Sequence, residues 1–157
     1  MAADQFTGSP LAVVRTVSHV AIEVADLDKS IAFYQRALGL RIVVDDRSSP
    51  TQASIKGLIG DFAFEIAAVA GCCGGVETAR PGLCLSFGVE DAKACLRRFQ
   101  DAGLGEPGAL SEMSGATFFT VRDPDGNAIE LIEFPHGAIA LGQLLVAGET
   151  RNPGDAP

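Results

Sequence analysis

The sequence predicts an α+β fold made of two copies of a βαβββ unit. Three observations carry this. The 157-residue chain matches itself when slid by 65 positions. Each copy opens with a period-two apolar pattern that passes into a helical stripe closed by Gly. Each copy then ends in three short alternating runs parted by turn residues.

The self-match has physical content. Val17–Asp26 (VSHVAIEVAD) falls on Gly82–Asp91 (GLCLSFGVED), and Phe62–Ile66 (FAFEI) falls on Asn127–Leu131 (NAIEL). In the first strand Val20, Ile22 and Val24 point one way, and His19, Ala21 and Glu23 the other. Asp26 is placed to cap a helix whose stripe is Leu27, Ile31, Tyr34 and Leu38, with Gly39 as its stop. The second copy repeats this with Leu85, Phe87 and Val89, then a stripe of Ala92, Leu96 and Phe99 ending at Gly103.

The remaining strands are expected at Leu40–Arg47, Gln52–Leu58 and Phe62–Val69, and at Glu106–Glu112, Thr117–Arg122 and Ala128–Phe134. Asp123–Asn127 (DPDGN) is a tight turn between the last two. The chain thus divides into an N-terminal extension (1–13), a first module (14–70), a Gly-rich linker (71–81), a second module (82–135) and a tail (136–157). A short helix is expected in the tail around Ala138–Val146.

Composition narrows the function. Apolar residues make up 47% of the chain and charged residues 20%, which excludes a disordered tail protein. The net charge is −8 with no basic cluster, which speaks against nucleic acid and anionic membrane as partners. Glu, Asp or Gly breaks every apolar stretch too early for a membrane span. The N-terminus does not read as a secretory signal, and the four cysteines do not form a disulfide framework. A cytoplasmic protein with reduced thiols is the expectation. Cys72-Cys73 reads as a loop feature and His136 as a surface histidine.

The strand face turned away from the helices decides the chemistry. It carries His19, Ala21 and Glu23; Ala63, Glu65 and Ala67; Cys84, Ser86 and Gly88; and Ala128, Glu130 and Ile132. Small side chains there leave a hollow, and a hollow with a few convergent polar groups suits a small-molecule substrate. Its central groups are His19, Glu65, Cys84 and Glu130, the ligand types of a divalent transition metal. His19 to Glu65 and Cys84 to Glu130 share a spacing of 46 residues, as a pseudo-two-fold site requires. Blander readings stay open at this point. A strand His can be a hydrogen-bonded core residue, an inward Cys a small hydrophobe, and a strand Glu a solvated side chain.

Residues 18–40 (SHVAIEVADLDKSIAFYQRALGL) and 118–133 (FFTVRDPDGNAIELIE) resemble the vicinal oxygen chelate superfamily of glyoxalase I, bleomycin resistance proteins and ring-cleaving dioxygenases. The resemblance runs from about Val14 to Phe134. It implies paired βαβββ modules forming an open, U-shaped, mostly antiparallel sheet around a metal, and a homodimer. It places the metal ligands at His19, Glu65, Cys84 and Glu130; in the catalytic reading Glu65 or Glu130 would move the substrate proton, swinging between ligand and base. The ion would be Zn, Ni, Co, Mn or Fe; no other cofactor site is readable. Cys84 departs from the pattern, because catalytic members carry His there. A thiolate at Cys84 would bind zinc, or three ligands would suffice, or the metal would be absent.

The resulting expectation is a glyoxalase-like or epimerase-like metal-dependent lyase or isomerase. It would act on a small oxygen-rich carbonyl substrate by proton abstraction and enolate stabilisation. The alternatives are a non-catalytic binder of the bleomycin-resistance type, a metal-free isomerase or cyclase, and a ring-cleaving dioxygenase.

Overall fold

The computed structural model describes residues 16–49, 52–69, 84–113 and 115–135. The extension, the linker and the tail helix expected from sequence lie outside these residues, as do Cys72, Cys73 and His136. The first module runs β1 (Val20–Glu23), α1 (Leu27–Leu38), β2 (Arg41–Asp46), β3 (Gln52–Ile59) and β4 (Phe62–Val69). The second runs β5 (Cys84–Gly88), α2 (Ala92–Ala102), β6 (Ser111–Met113), β7 (Ala116–Arg122) and β8 (Ala128–Glu133). The duplicated βαβββ reading holds element by element.

Local chemistry sets the helix ends. Asp26 accepts a hydrogen bond from the Lys29 amide at 3.1 Å, and Asp91 accepts one from the Ala94 amide at 2.7 Å. Gly39 and Gly103 end the helices at φ 68° and 59°, a left-handed conformation that a Cβ would strain. Each helix lays its apolar stripe on its own sheet. Tyr34 packs against Phe33 and Phe64, and Phe99 against Phe119. Ile22, Ile55, Ile66, Phe119, Ile129 and Leu131 complete a core that continues from one module into the other.

The strands form two four-stranded sheets, ordered β1-β4-β3-β2 and β5-β8-β7-β6. Each module therefore keeps its own sheet, and among the described residues no backbone ladder joins them. Two of the three pairings in each sheet are antiparallel, while the first and last strands of each module run parallel side by side. The parallel pair follows from the helical crossover between them.

Four strands differ from expectation by one residue at one or both ends, and two further differences bear on the site. The sixth strand was expected at Glu106–Glu112 but spans only Ser111–Met113. Glu106 sits at φ 45° and Pro107 has no amide hydrogen, so the approach to it cannot continue a ladder. It instead makes isolated bonds to β7, from the Gly108 amide to the Thr120 carbonyl and from the Arg122 amide to the Gly105 carbonyl. At the other end, His19 lies one residue ahead of β1 rather than within it.

The modules are clasped through α1. The Tyr34 hydroxyl donates to Asp123 Oδ2 at 3.0 Å, and the Ser30 hydroxyl donates to Asp125 Oδ2 at 3.3 Å. The Ala25 amide donates to Asp125 Oδ1 at 2.9 Å. The DPDGN turn of the second module thus grips the start and the buried face of the first helix. Asp123 is buried yet satisfied, because the Asp125 and Asn127 amides and the Asn127 side chain also donate to it. Burial, then the Asp123 charge, pushes the Tyr34 phenol well above its ordinary value. No described helix is long and apolar enough to cross a membrane.

Candidate functional site

The sheet face turned away from the helices carries two small polar clusters, one per module. They occupy equivalent places. Val20 lies opposite Phe64 in the first parallel pair, and Leu85 opposite Ile129 in the second, a 44-residue offset in both. Ala21 therefore faces Glu65, and Ser86 faces Glu130. On its other side Glu65 is paired with Lys56, and Glu130 with Thr120.

In the first module His19 Nε2 stands 3.5 Å from Glu65 Oε2. The Ser18 hydroxyl lies 2.7 Å from His19 Nδ1, so the ring is held from behind and turns Nε2 towards the acid. The other oxygen of Glu65 is 3.3 Å from Lys56 Nζ. Lys56 Nζ also donates to the Ser54 hydroxyl at 3.2 Å. The Glu65 side chain is only 20% exposed, so both of its oxygens meet cationic or hydrogen-bonding groups in a partly dry setting.

In the second module the Ser86 hydroxyl donates to Glu130 Oε1 at 2.7 Å. Cys84 is exposed and near Glu130. Partial burial of the thiol, then the Glu130 charge, pushes Cys84 above the ordinary thiol range. Cys84, Ala128 and Arg122 share one cross-strand row. Arg122 in turn borders an open cleft of about 500 Å³ between the modules, walled by Phe33, Glu106 and Pro124. Its guanidinium donates to the Gly126 carbonyl at 2.9 Å.

The four residues expected as one metal set thus fall into two pairs, His19 with Glu65 and Cys84 with Glu130. Among the described residues, no three His, Cys, Asp or Glu side chains gather closely enough to hold an ion. The sequence leaves open whether the two pairs meet within one chain or across a dimer, and the described residues of one chain do not bring all four together. The reason is that each pair sits on its own sheet, and the modules meet through α1 and the DPDGN turn.

Sequence reasoning also missed Lys56 and Thr120, and placed Ser86 on the right face without giving it a role. Lys56 was detectable as a lone charge in an otherwise uncharged strand, flanked by Ile55 and Gly57. Ser86 and Thr120 gave no such signal, because a hydroxyl on a strand says little until its cross-strand partner is known.

Comparison with known proteins places this geometry. The family model of the Glyoxalase/Bleomycin resistance protein/Dioxygenase superfamily matches residues 16–131. A lactoylglutathione lyase of Haemophilus influenzae is 31% identical over 135 residues, covering 80% of this chain and 98% of that protein. A glyoxylase/bleomycin resistance protein/dioxygenase domain from Frankia sp. superposes with a TM-score of 0.65 at 29% identity, covering 78% of this chain and 99% of that one. The fold is shared by the fosfomycin resistance protein FosX of Listeria monocytogenes, a point mutant of which is known in complex with Mn(II) and 1S,2S-dihydroxypropylphosphonic acid. Its TM-score is 0.59 at 20% identity, covering 85% of this chain and 99% of that one. With the family model spanning most of the chain, and both modules of the fold in place, this protein belongs to the glyoxalase/bleomycin resistance protein/dioxygenase superfamily.

Proposed function

We propose that this protein is a divalent-metal-dependent lyase or isomerase of the glyoxalase kind, acting on a small substrate with adjacent oxygens around a carbonyl. One observation carries the reading: a carboxylate stands at the same register of both modules, each beside a second group able to bind a metal. The donor chemistry fits. An imidazole with its rear nitrogen already engaged, two carboxylates and a thiol form a set that zinc accepts, with softer character than an all-oxygen site.

His19, Glu65, Cys84 and Glu130 would hold the ion. Because the two pairs do not meet among the described residues of one chain, a second copy would complete the set, the first-module pair of one subunit joining the second-module pair of the other. Bound there, the ion supplies Lewis-acid polarisation of the substrate carbonyl.

The chain's own residues do the rest. His19 anchors, its ring fixed by Ser18. Glu130 is the better-placed base, since the hydrogen bond it accepts comes from a neutral hydroxyl, that of Ser86, which leaves its charge available for a proton. Glu65, engaged by Lys56 and His19, is the more firmly positioned carboxylate and would serve as a ligand rather than the base.

The test is elemental analysis of purified protein alongside turnover, with lactoylglutathione, the compound in the relative's name, as the first substrate. The expected result is a stoichiometric divalent ion and loss of turnover in chelator, with Glu130→Gln folded and inactive. Metal-free protein with full turnover in chelator overturns the reading.

A second reading has one observation in its favour. Lys56 already offsets the charge of Glu65, which suits a ligand-binding protein of the bleomycin-resistance type with no metal. Thermal stabilisation by candidate small molecules but not by metals would establish that reading instead.

A further inference from the structure

We propose that Lys56 is a built-in competing cation that weakens metal capture by the His19–Glu65 pair; this rests on the metal-site reading above. The ammonium is not a casual surface charge. Its residue is the direct cross-strand partner of Glu65, and Nζ is tied twice, at 3.3 Å to Glu65 Oε1 and at 3.2 Å to the hydroxyl of buried Ser54. An ion taken up between His19 and Glu65 must share that carboxylate with a positive charge already in place.

The second module sets the contrast. There Thr120 stands in the place of Lys56, and the Ser86 hydroxyl meets Glu130 without adding charge. The fold thus provides two equivalent carboxylates, and among the described residues only Glu65 has a cation beside it. The Lys56 side chain is 52% exposed, so solvent screens it in part, but its ammonium lies against a carboxylate that is only 20% exposed; the remaining repulsion lowers the affinity of the pair for a divalent ion. In return, Glu65 is not left as an uncompensated acid when no ion is bound. Lys56 acts here through Glu65, as a positioning and charge-balancing residue rather than a catalytic one.

The experiment is a titration of the full-length protein with zinc alone, in a competing chelator, read by calorimetry. Lys56→Gln keeps a donor for Glu65 but removes the charge; Lys56→Arg keeps the charge; Lys93→Gln removes a charge on α2, away from the site. Far-ultraviolet circular dichroism confirms that each variant is folded. Lys56→Gln is expected to bind zinc about three- to tenfold more tightly than the wild type, with Lys56→Arg and Lys93→Gln unchanged. Added salt should narrow the gap between wild type and Lys56→Gln. Equal or weaker binding by Lys56→Gln, with the wild type still binding zinc, overturns the role of Lys56 and leaves the metal reading standing. Absence of zinc binding in the wild type and in every variant overturns both.

Discussion

Glu65 and Glu130 stand at one register of a duplicated fold, yet their surroundings have diverged. Glu65 lies between an imidazole and an ammonium, both within 3.5 Å. Glu130 meets a serine hydroxyl at 2.7 Å and a nearby thiol whose own ionisation it discourages. Duplication preserved the backbone address of the acid and not its chemistry. The address is held by strand pairing, in which a one-residue slip would turn every side chain to the wrong face. The neighbours were free to change, because a small polar residue on an open sheet face costs the fold little.

The comparison can be broken most decisively at the acids themselves. Glu65→Gln and Glu130→Gln are each expected to lower kcat by about a hundredfold or more while leaving the unfolding midpoint nearly unchanged, if both modules serve one centre. A large loss in one variant and none in the other would show that the two halves work apart. Steady-state kinetics beside a thermal melt distinguishes these outcomes.

Next in size is the clasp that joins the halves. Asp123→Ala removes the acceptor of the Tyr34 hydroxyl and of two backbone amides in a buried place. It should cost about 3 kcal/mol in denaturant unfolding, and Tyr34→Phe about 1 kcal/mol. The same clasp gives a pH dependence. The Tyr34 phenol is raised in the folded protein, so its contribution is intact below the ordinary value of 10.0 and lost as pH rises beyond it. Stability should fall above that pH by up to about 1.4 kcal/mol per unit from this group, and Tyr34→Phe should flatten the decline.

Cys84 is the sharpest chemical difference between the halves. Cys84→Ser is expected to weaken zinc binding about 10- to 100-fold, as loss of a soft ligand should. Cys84→His, which gives the second pair the donors of the first, should restore binding and favour nickel or cobalt relative to wild type. Calorimetric titration with each metal reads both effects. The smallest expected effect concerns the helix caps. Asp26→Ala and Asp91→Ala should each lower Tm by about 2–4 °C, since both remove one capping bond of the same kind.

Much of the fold was legible in the chain. Asp26 and Gly39 bound α1 at the positions their chemistry dictates, and the 65-residue self-match foretold two modules with the same strand order. These are local signals, carried by periodicity, capping and turn chemistry. The sixth strand was placed too early because the first module has a long strand at the corresponding place, while Glu106, Pro107 and Gly108 suit a turn. The choice of His19, Glu65, Cys84 and Glu130 was legible as one face of the strands. Their pairing as His19 with Glu65 and Cys84 with Glu130 was legible from the shared spacing; the separation of the two pairs in the described residues and the ammonium beside Glu65 were not.

The sequence by itself determined the duplicated βαβββ units, the helix ends, and which side chains turn away from the helices, because each follows from spacing over a few neighbouring residues. Only the tertiary structure decided what those side chains meet. Cross-strand partners such as Lys56 with Glu65, and the grip of the DPDGN turn on α1, depend on register and docking between segments distant in the chain. Those distances are set by the packing of the whole core, which no local pattern records.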